Sequence, residues 1–124
     1  MDDRTELHRF AQLLMRVVRD PSIQDLDALA ARWMGPVDKR WRELLSDRKA
    51  RAAVQELIPD IVDQVLFRLL HALDHGDLPL AWRREDGSYV ALSDLGKSEM
   101  VGWLVMTEPD SWRGQYSSQR WAKT

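Results

Sequence analysis

The stretch between Pro59 and Gly76 constrains this chain more than any other. Ile61, Val62, Val65, Leu66, Phe67, Leu69, Leu70, Ala72 and Leu73 follow one another with few polar interruptions. A proline at one end and a glycine at the other are natural boundaries for a helix. On a 3.6-residue spiral these side chains cover most of the circumference, so the segment reads as the central, most buried helix. Such a helix needs others packed around it, and the rest of the chain has to supply them.

It does so with repeated helical spacing. Leu7, Phe10, Ala11, Leu14, Val17 and Val18 predict an amphipathic helix that ends at Asp20-Pro21, where proline removes a donor from the ladder. Ser22 with Asp25 predicts the N-cap of a second helix carrying Leu26, Leu29, Ala30, Trp33 and Met34, stopped by Gly35-Pro36. A third carries Val37, Trp41, Leu44 and Leu45. A fourth starts near Asp47 with Ala50, Ala53, Val54 and Leu57, and Pro59 then opens the central helix.

Beyond Gly76 the period changes. Leu80, Trp82 and Arg84 alternate, Asp86-Gly87 supplies a turn, and Tyr89, Val90, Ala91 and Leu92 return: a hairpin over about 79–92. Two strands alone are marginal, so one face must lie on the helices. Ser93 or Ser98 is placed to cap an apolar helix over 99–106, and Thr107-Glu108-Pro109-Asp110 breaks it. A short helical turn then follows Asp110 or Ser111. The expected fold is mainly α: one compact multi-helix domain over 1–124 with one short β-hairpin and a C-terminal helix and tail over about 97–124.

Composition removes several function classes. A chain of 124 residues suits one domain with its own core. A net charge of -2 disfavours sequence-independent nucleic-acid binding, which calls for a clearly basic surface. With no cysteine there is no disulfide scaffold, iron–sulfur cluster or thiol catalysis. The start, Met1-Asp2-Asp3, lacks the basic and apolar regions of a secretory signal, and no run reaches the roughly 18 apolar residues of a membrane span. The expectation is a cytoplasmic protein with no membrane association.

His71-Ala72-Leu73-Asp74-His75 is the sharpest chemical pattern. Histidines at i and i+4 share a helix face, as metal ligands require, and the order resembles the His-x-x-Glu-His metalloprotease signature. The acid is Asp74, one methylene shorter, and no third ligand stands out beyond Asp77, Glu99 or Glu108. The sequence therefore calls for no metal and no cofactor, with a metal-dependent enzyme using His71 and His75 as an alternative. His8 stands alone. There is no Gly-x-Ser-x-Gly and no phosphate-binding glycine loop, so the chain reads as a non-enzyme.

Two binding readings remain. Lys39, Arg40, Arg42, Arg48, Lys49 and Arg51 concentrate positive charge between residues 39 and 51, and the segment from Trp82 to Gly96 resembles the wing of a winged-helix repressor, an alternative that makes the chain a DNA-binding regulator. Against it, the helix before that wing is too apolar to read bases. The other reading is protein binding. Trp112, Arg113, Tyr116, Arg120 and Trp121 are residue types that dominate interface hot spots, although Trp112 and Tyr116 also suit a lid folded over the helices with Trp103 and Trp82 beneath. Asp74, Asp77, Glu85 and Asp86 gather acidic charge that suits a basic partner.

Across Val62 to Asp74, at Gly102-Trp103 and at Trp112-Arg113-Gly114-Gln115-Tyr116-Ser117, the chain resembles small bacterial helical proteins with a short hairpin, then Gly-Trp and Trp-x-x-x-Tyr-Ser. Proteins of this build include immunity proteins that neutralise a toxin. The resemblance implies a binding protein and transfers no site residue. The expected function is a non-enzymatic protein-binding module, an immunity-type inhibitor that occludes a partner toxin.

Overall fold

The structure is a computed structural model and describes residues 2–32, 36–106 and 109–121. Expectations resting on Trp33, Met34, Gly35, Thr107 and Glu108, and on the side chain of Val37, lie outside the described residues.

The chain is mainly helical with one short antiparallel hairpin. Asp2 opens α1 (Asp3–Leu13) by accepting from the Thr5 N–H at 2.8 Å. A π turn (Leu14–Arg19) leads directly into α2 (Asp20–Arg32). α3 (Pro36–Leu44) follows, and Asp47 caps α4 (Arg48–Asp74) through the Lys49 N–H. β1 (Ala81–Arg83) and β2 (Tyr89–Ala91) form the hairpin, and α5 (Leu92–Leu95), α6 (Met100–Val105) and α7 (Trp112–Tyr116) complete the chain.

Two of the prolines do not break the helices as the sequence predicts. Pro21 follows the π turn, in which the Asp20 N–H reaches back five residues to the Met15 carbonyl. The wider turn relieves the clash a proline ring makes with the preceding carbonyls, so α1 and α2 run on as one continuous helical rod. Ser22 and Asp25 consequently lie inside α2 rather than at its cap. Pro59 likewise sits inside a continuous α4 instead of opening a new helix. Its missing N–H leaves the Gln55 carbonyl without the usual helical donor, and Arg120 donates to that carbonyl from the C-terminal segment. The same guanidinium forms two hydrogen bonds to Asp27 at 2.8 and 3.0 Å, joining α2, α4 and the chain's end.

These links, with Arg19 meeting Asp63, set α2 alongside α4 with the two helices running in opposite directions. α2 packs on α4, while α1 packs on α5 and α7. Ile23 and Ala30 meet the same core as Ile58, Val62, Leu66, Leu70 and Leu73, which Leu92, Leu95, Met100, Leu104 and Trp112 complete. α4 is not buried all round, as its composition predicts. Leu57, Ile61 and Val65, spaced by four, are exposed on the side away from that core.

The short α6 is capped by neither Ser93 nor Ser98. Asp74 at the end of α4 accepts from the Met100 and Val101 N–H groups at 3.2 and 3.0 Å. Lys97 and Ser98 both take left-handed backbone angles to deliver the chain there. Each such residue costs on the order of 1 kcal/mol, which the cap and the buried Met100 and Leu104 offset.

At the centre, Arg19 is fully buried. Its Nε and Nη2 donate to the two oxygens of Asp63 at 2.7 and 3.1 Å, and its remaining hydrogens reach Ser117 Oγ, the Gln119 carbonyl and the Arg120 carbonyl. Arg113 donates to Asp63 Oδ2 from the opposite side at 2.9 Å. Asp20 accepts from the Ser117 hydroxyl and from the backbone and side chain of Ser118. Burial works to raise its carboxyl, but these donors outweigh it and hold Asp20 below the ordinary aspartate range.

Asp63→Asn leaves two buried guanidiniums without their counter-charge and is expected to cost about 3–5 kcal/mol in urea unfolding at pH 7. In a double-mutant cycle, Arg120→Ala should cost about 1 kcal/mol less in a Pro59→Ala background, because an alanine at that position supplies the Gln55 carbonyl with a helical N–H. Equal losses in both backgrounds would remove this account of Arg120.

Candidate protein-binding surface

The hairpin end of the molecule is built outward from α4. Gly76 takes a left-handed φ of +74° that turns the chain off the helix, with its N–H on the Leu73 carbonyl and the Leu78 N–H on the Ala72 carbonyl. The chain then enters β1. Ala81 pairs with Ala91, Trp82 with Val90 and Arg83 with Tyr89. The loop closes between the Arg84 N–H and the Ser88 carbonyl at 2.7 Å, with Gly87 at φ +89°. Asp86 accepts from the Ser88 N–H and hydroxyl, which holds its carboxyl below the ordinary range.

The two-residue period decides which side chains face out. Trp82 and Val90 turn toward the helices, and Tyr89 turns to solvent. A fully buried carboxylate on α1 fixes this orientation. Glu6 accepts from the Trp82 indole at 2.8 Å, the Glu85 N–H at 3.0 Å and Arg9 at 2.9 Å. Arg9 also donates to the Arg83 carbonyl and lies 4.5 Å above the Trp82 ring, and Phe10 meets that ring edge-on. Arg84 reaches Asp3 at 3.0 Å. The indole donor, followed by the Glu85 N–H and Arg9, outweighs desolvation and keeps the Glu6 carboxyl below its ordinary value.

On the outer side, Leu78, Pro79, Leu80, Ala81, Tyr89 and Ala91 line a mainly apolar groove of about 220 Å³ whose inner wall includes Leu73 and Val90. Leu78, Leu80 and Tyr89 are 38%, 48% and 66% exposed. Asp77 lies in the turn that leads into the groove, and Glu85 and Asp86 occupy the hairpin tip, all three exposed. Alternation in the sequence puts Tyr89 and Val90 on different faces of the hairpin without saying which face is buried. That the Tyr89 face stays uncovered depends on tertiary packing, which periodicity does not encode.

Other residues expected at a partner surface are placed elsewhere. Asp74 is buried as the cap of α6. Trp112 is buried edge-on against Phe10, and Arg113 is buried on Asp63, so neither is presented to a partner. Both follow from the tail being drawn into the core by Arg19 and Asp63. Tyr116 is half-buried with its hydroxyl 2.6 Å from His8 Nδ1. Arg120 is exposed but tied to Asp27 and Gln55, and Trp121 lies partly buried with the Arg113 guanidinium 5.7 Å from its ring. Trp82 is packed against the core, whereas Trp103 is 38% exposed rather than covered.

The basic segment lies at the other end of α4, about 40 Å away for 27 helical residues. Lys39, Arg40, Arg42, Arg48 and Lys49 are exposed there, and Arg51 donates to the Leu45 and Ser46 carbonyls. The wing-like segment is the hairpin docked on α1. His71 and His75 meet on the last turn of α4, and among the described residues no three His, Asp or Glu side chains gather to hold a metal.

Glu6→Gln is expected to loosen the hairpin from α1, shifting and broadening the Trp82 indole NMR resonance. Because folding lowers the Glu6 pKa, its contribution is present above the ordinary glutamate value and is lost as pH falls through the folded one. The acid limb of the stability curve should therefore flatten in the Gln variant, and an unchanged limb would remove Glu6 from that role. No protein-family model, curated protein or solved structure matches the chain.

Proposed function

We propose that this protein is a non-enzymatic protein-binding module that presents its hairpin end to a partner protein. One observation carries this reading: Leu78, Leu80 and Tyr89 stand exposed around a single groove, on a hairpin held rigidly by Glu6 and Arg9. A tyrosine on a rigid support loses little conformational freedom on binding and brings both area and a hydroxyl, which suits it to be a hot spot. Asp77, Glu85 and Asp86 at the edge would favour a basic partner and speed its approach. Inhibition of a toxin by occlusion, as immunity-type proteins act, fits a surface of this kind if the toxin's own site is basic.

The test is affinity capture with identification and titration of the captured protein. Tyr89→Ser and Leu80→Asp are each expected to weaken binding by about tenfold or more while leaving the melting temperature nearly unchanged. A partner bound equally by wild type and both variants would move the interface elsewhere.

A second reading, nucleic-acid binding, draws on the opposite end of α4. Lys39, Arg40, Arg42, Arg48 and Lys49 are exposed around that end, positive charge that would meet a phosphate backbone, with the capping Asp47 carboxylate opposing it. This reading requires binding to a DNA or RNA duplex that falls steeply with salt and is lost when Arg48 and Lys49 are neutralised.

A further inference from the structure

We propose that His71 and His75 form a two-histidine clamp for one divalent transition-metal ion of the copper–nickel–zinc group. The two side chains lie on successive turns of α4, and their ring centroids are 4.1 Å apart with 35° between the planes. One ion held at about 2.0–2.1 Å by a nitrogen of each ring needs the centroids roughly 4.5–5 Å apart, so side-chain rotation that splays the rings slightly admits it while the helix stays in place. His75 Nδ1 lies 2.9 Å from the His71 carbonyl, which can only accept, so Nδ1 carries a hydrogen and in the neutral ring Nε2 is the nitrogen left for a metal. A backbone carbonyl holding the far ring nitrogen is the usual way a metal-ligating histidine is oriented. His71 stacks on Phe67 with 13° between the planes, which restrains the second ring.

The surroundings suit a cation. His75 is exposed, so the ion can enter and retain waters in its remaining positions. The C-terminal end of a 27-residue helix carries partial negative charge. Asp74, between the histidines in sequence, is engaged with the Met100 and Val101 N–H groups and stays outside the clamp. With two imidazoles and water as ligands, the site selects borderline metals over calcium or magnesium, and Cu²⁺ over Ni²⁺ and Zn²⁺.

The experiment is a Cu²⁺ titration of untagged protein, read by electron paramagnetic resonance and by competition with a chelator. The expected result is one tight equivalent per chain with hyperfine coupling to imidazole nitrogen. His71→Ala and His75→Ala should each weaken it by about tenfold or more, while His8→Gln leaves it unchanged. Cu²⁺ should raise the melting temperature of wild type and of neither alanine variant. Both replacements lie at a helix surface, and their metal-free melting temperatures report whether the fold is intact. Wild-type affinity in the alanine variants, loss in His8→Gln, or failure of the native protein to retain one equivalent would each overturn the clamp.

Discussion

A single buried carboxylate, Asp63, holds the two halves of this protein together. It sits between Arg19 from the first helical rod and Arg113 from the last helix. Burying charge is costly, and the arrangement survives because each Arg19 hydrogen finds an acceptor: two oxygens of Asp63, a serine hydroxyl and two backbone carbonyls. Replacing the cluster with well-packed hydrophobic residues could leave comparable stability. It would not select one path for the tail. The cluster therefore gives specificity to the fold, fixing where residues 117–120 run, while the apolar core supplies most of the driving force.

The hairpin obeys the same logic on a smaller scale. Two strands of three residues cannot stand alone, and Glu6 serves them as Asp63 serves the tail: one ionised carboxylate inside, several donors converging on it. The proposed partner surface inherits its rigidity from this anchor. Trp82 is spent on the inside, which leaves Tyr89 as the aromatic on the hairpin's outside.

Much of this was legible in the residues themselves. The mainly helical class, the hairpin near Asp86-Gly87, the start of α4 near Asp47 and the inward role of Trp41 followed from period and turn chemistry. What failed did so for identifiable reasons. Pro21 and Pro59 signal breaks only when the lost donor and the ring clash go uncompensated, and here a widened turn and a distant arginine compensate them. Arg113 looks like surface from its type, because its partner Asp63 lies tens of residues away in sequence. The outward-facing residues of α4 and the hairpin look like core for the complementary reason: an apolar residue's environment is set by what fails to cover it. A binding surface is the least legible part of such a chain, since it is defined by the absence of intramolecular neighbours.

The π turn at Leu14–Arg19 has a geometric consequence. It winds more residues into a revolution than the helices on either side, so it acts as a phase shifter. Every side chain after it is rotated about the rod axis relative to the position a regular spiral would assign. Arg19 and Asp20 face the tail, and Asp27 faces Arg120, in that shifted frame. Closing this segment to a regular α turn of the same length would swing the second half of the rod by about 100°, turning its acidic side away from the tail although no residue is lost.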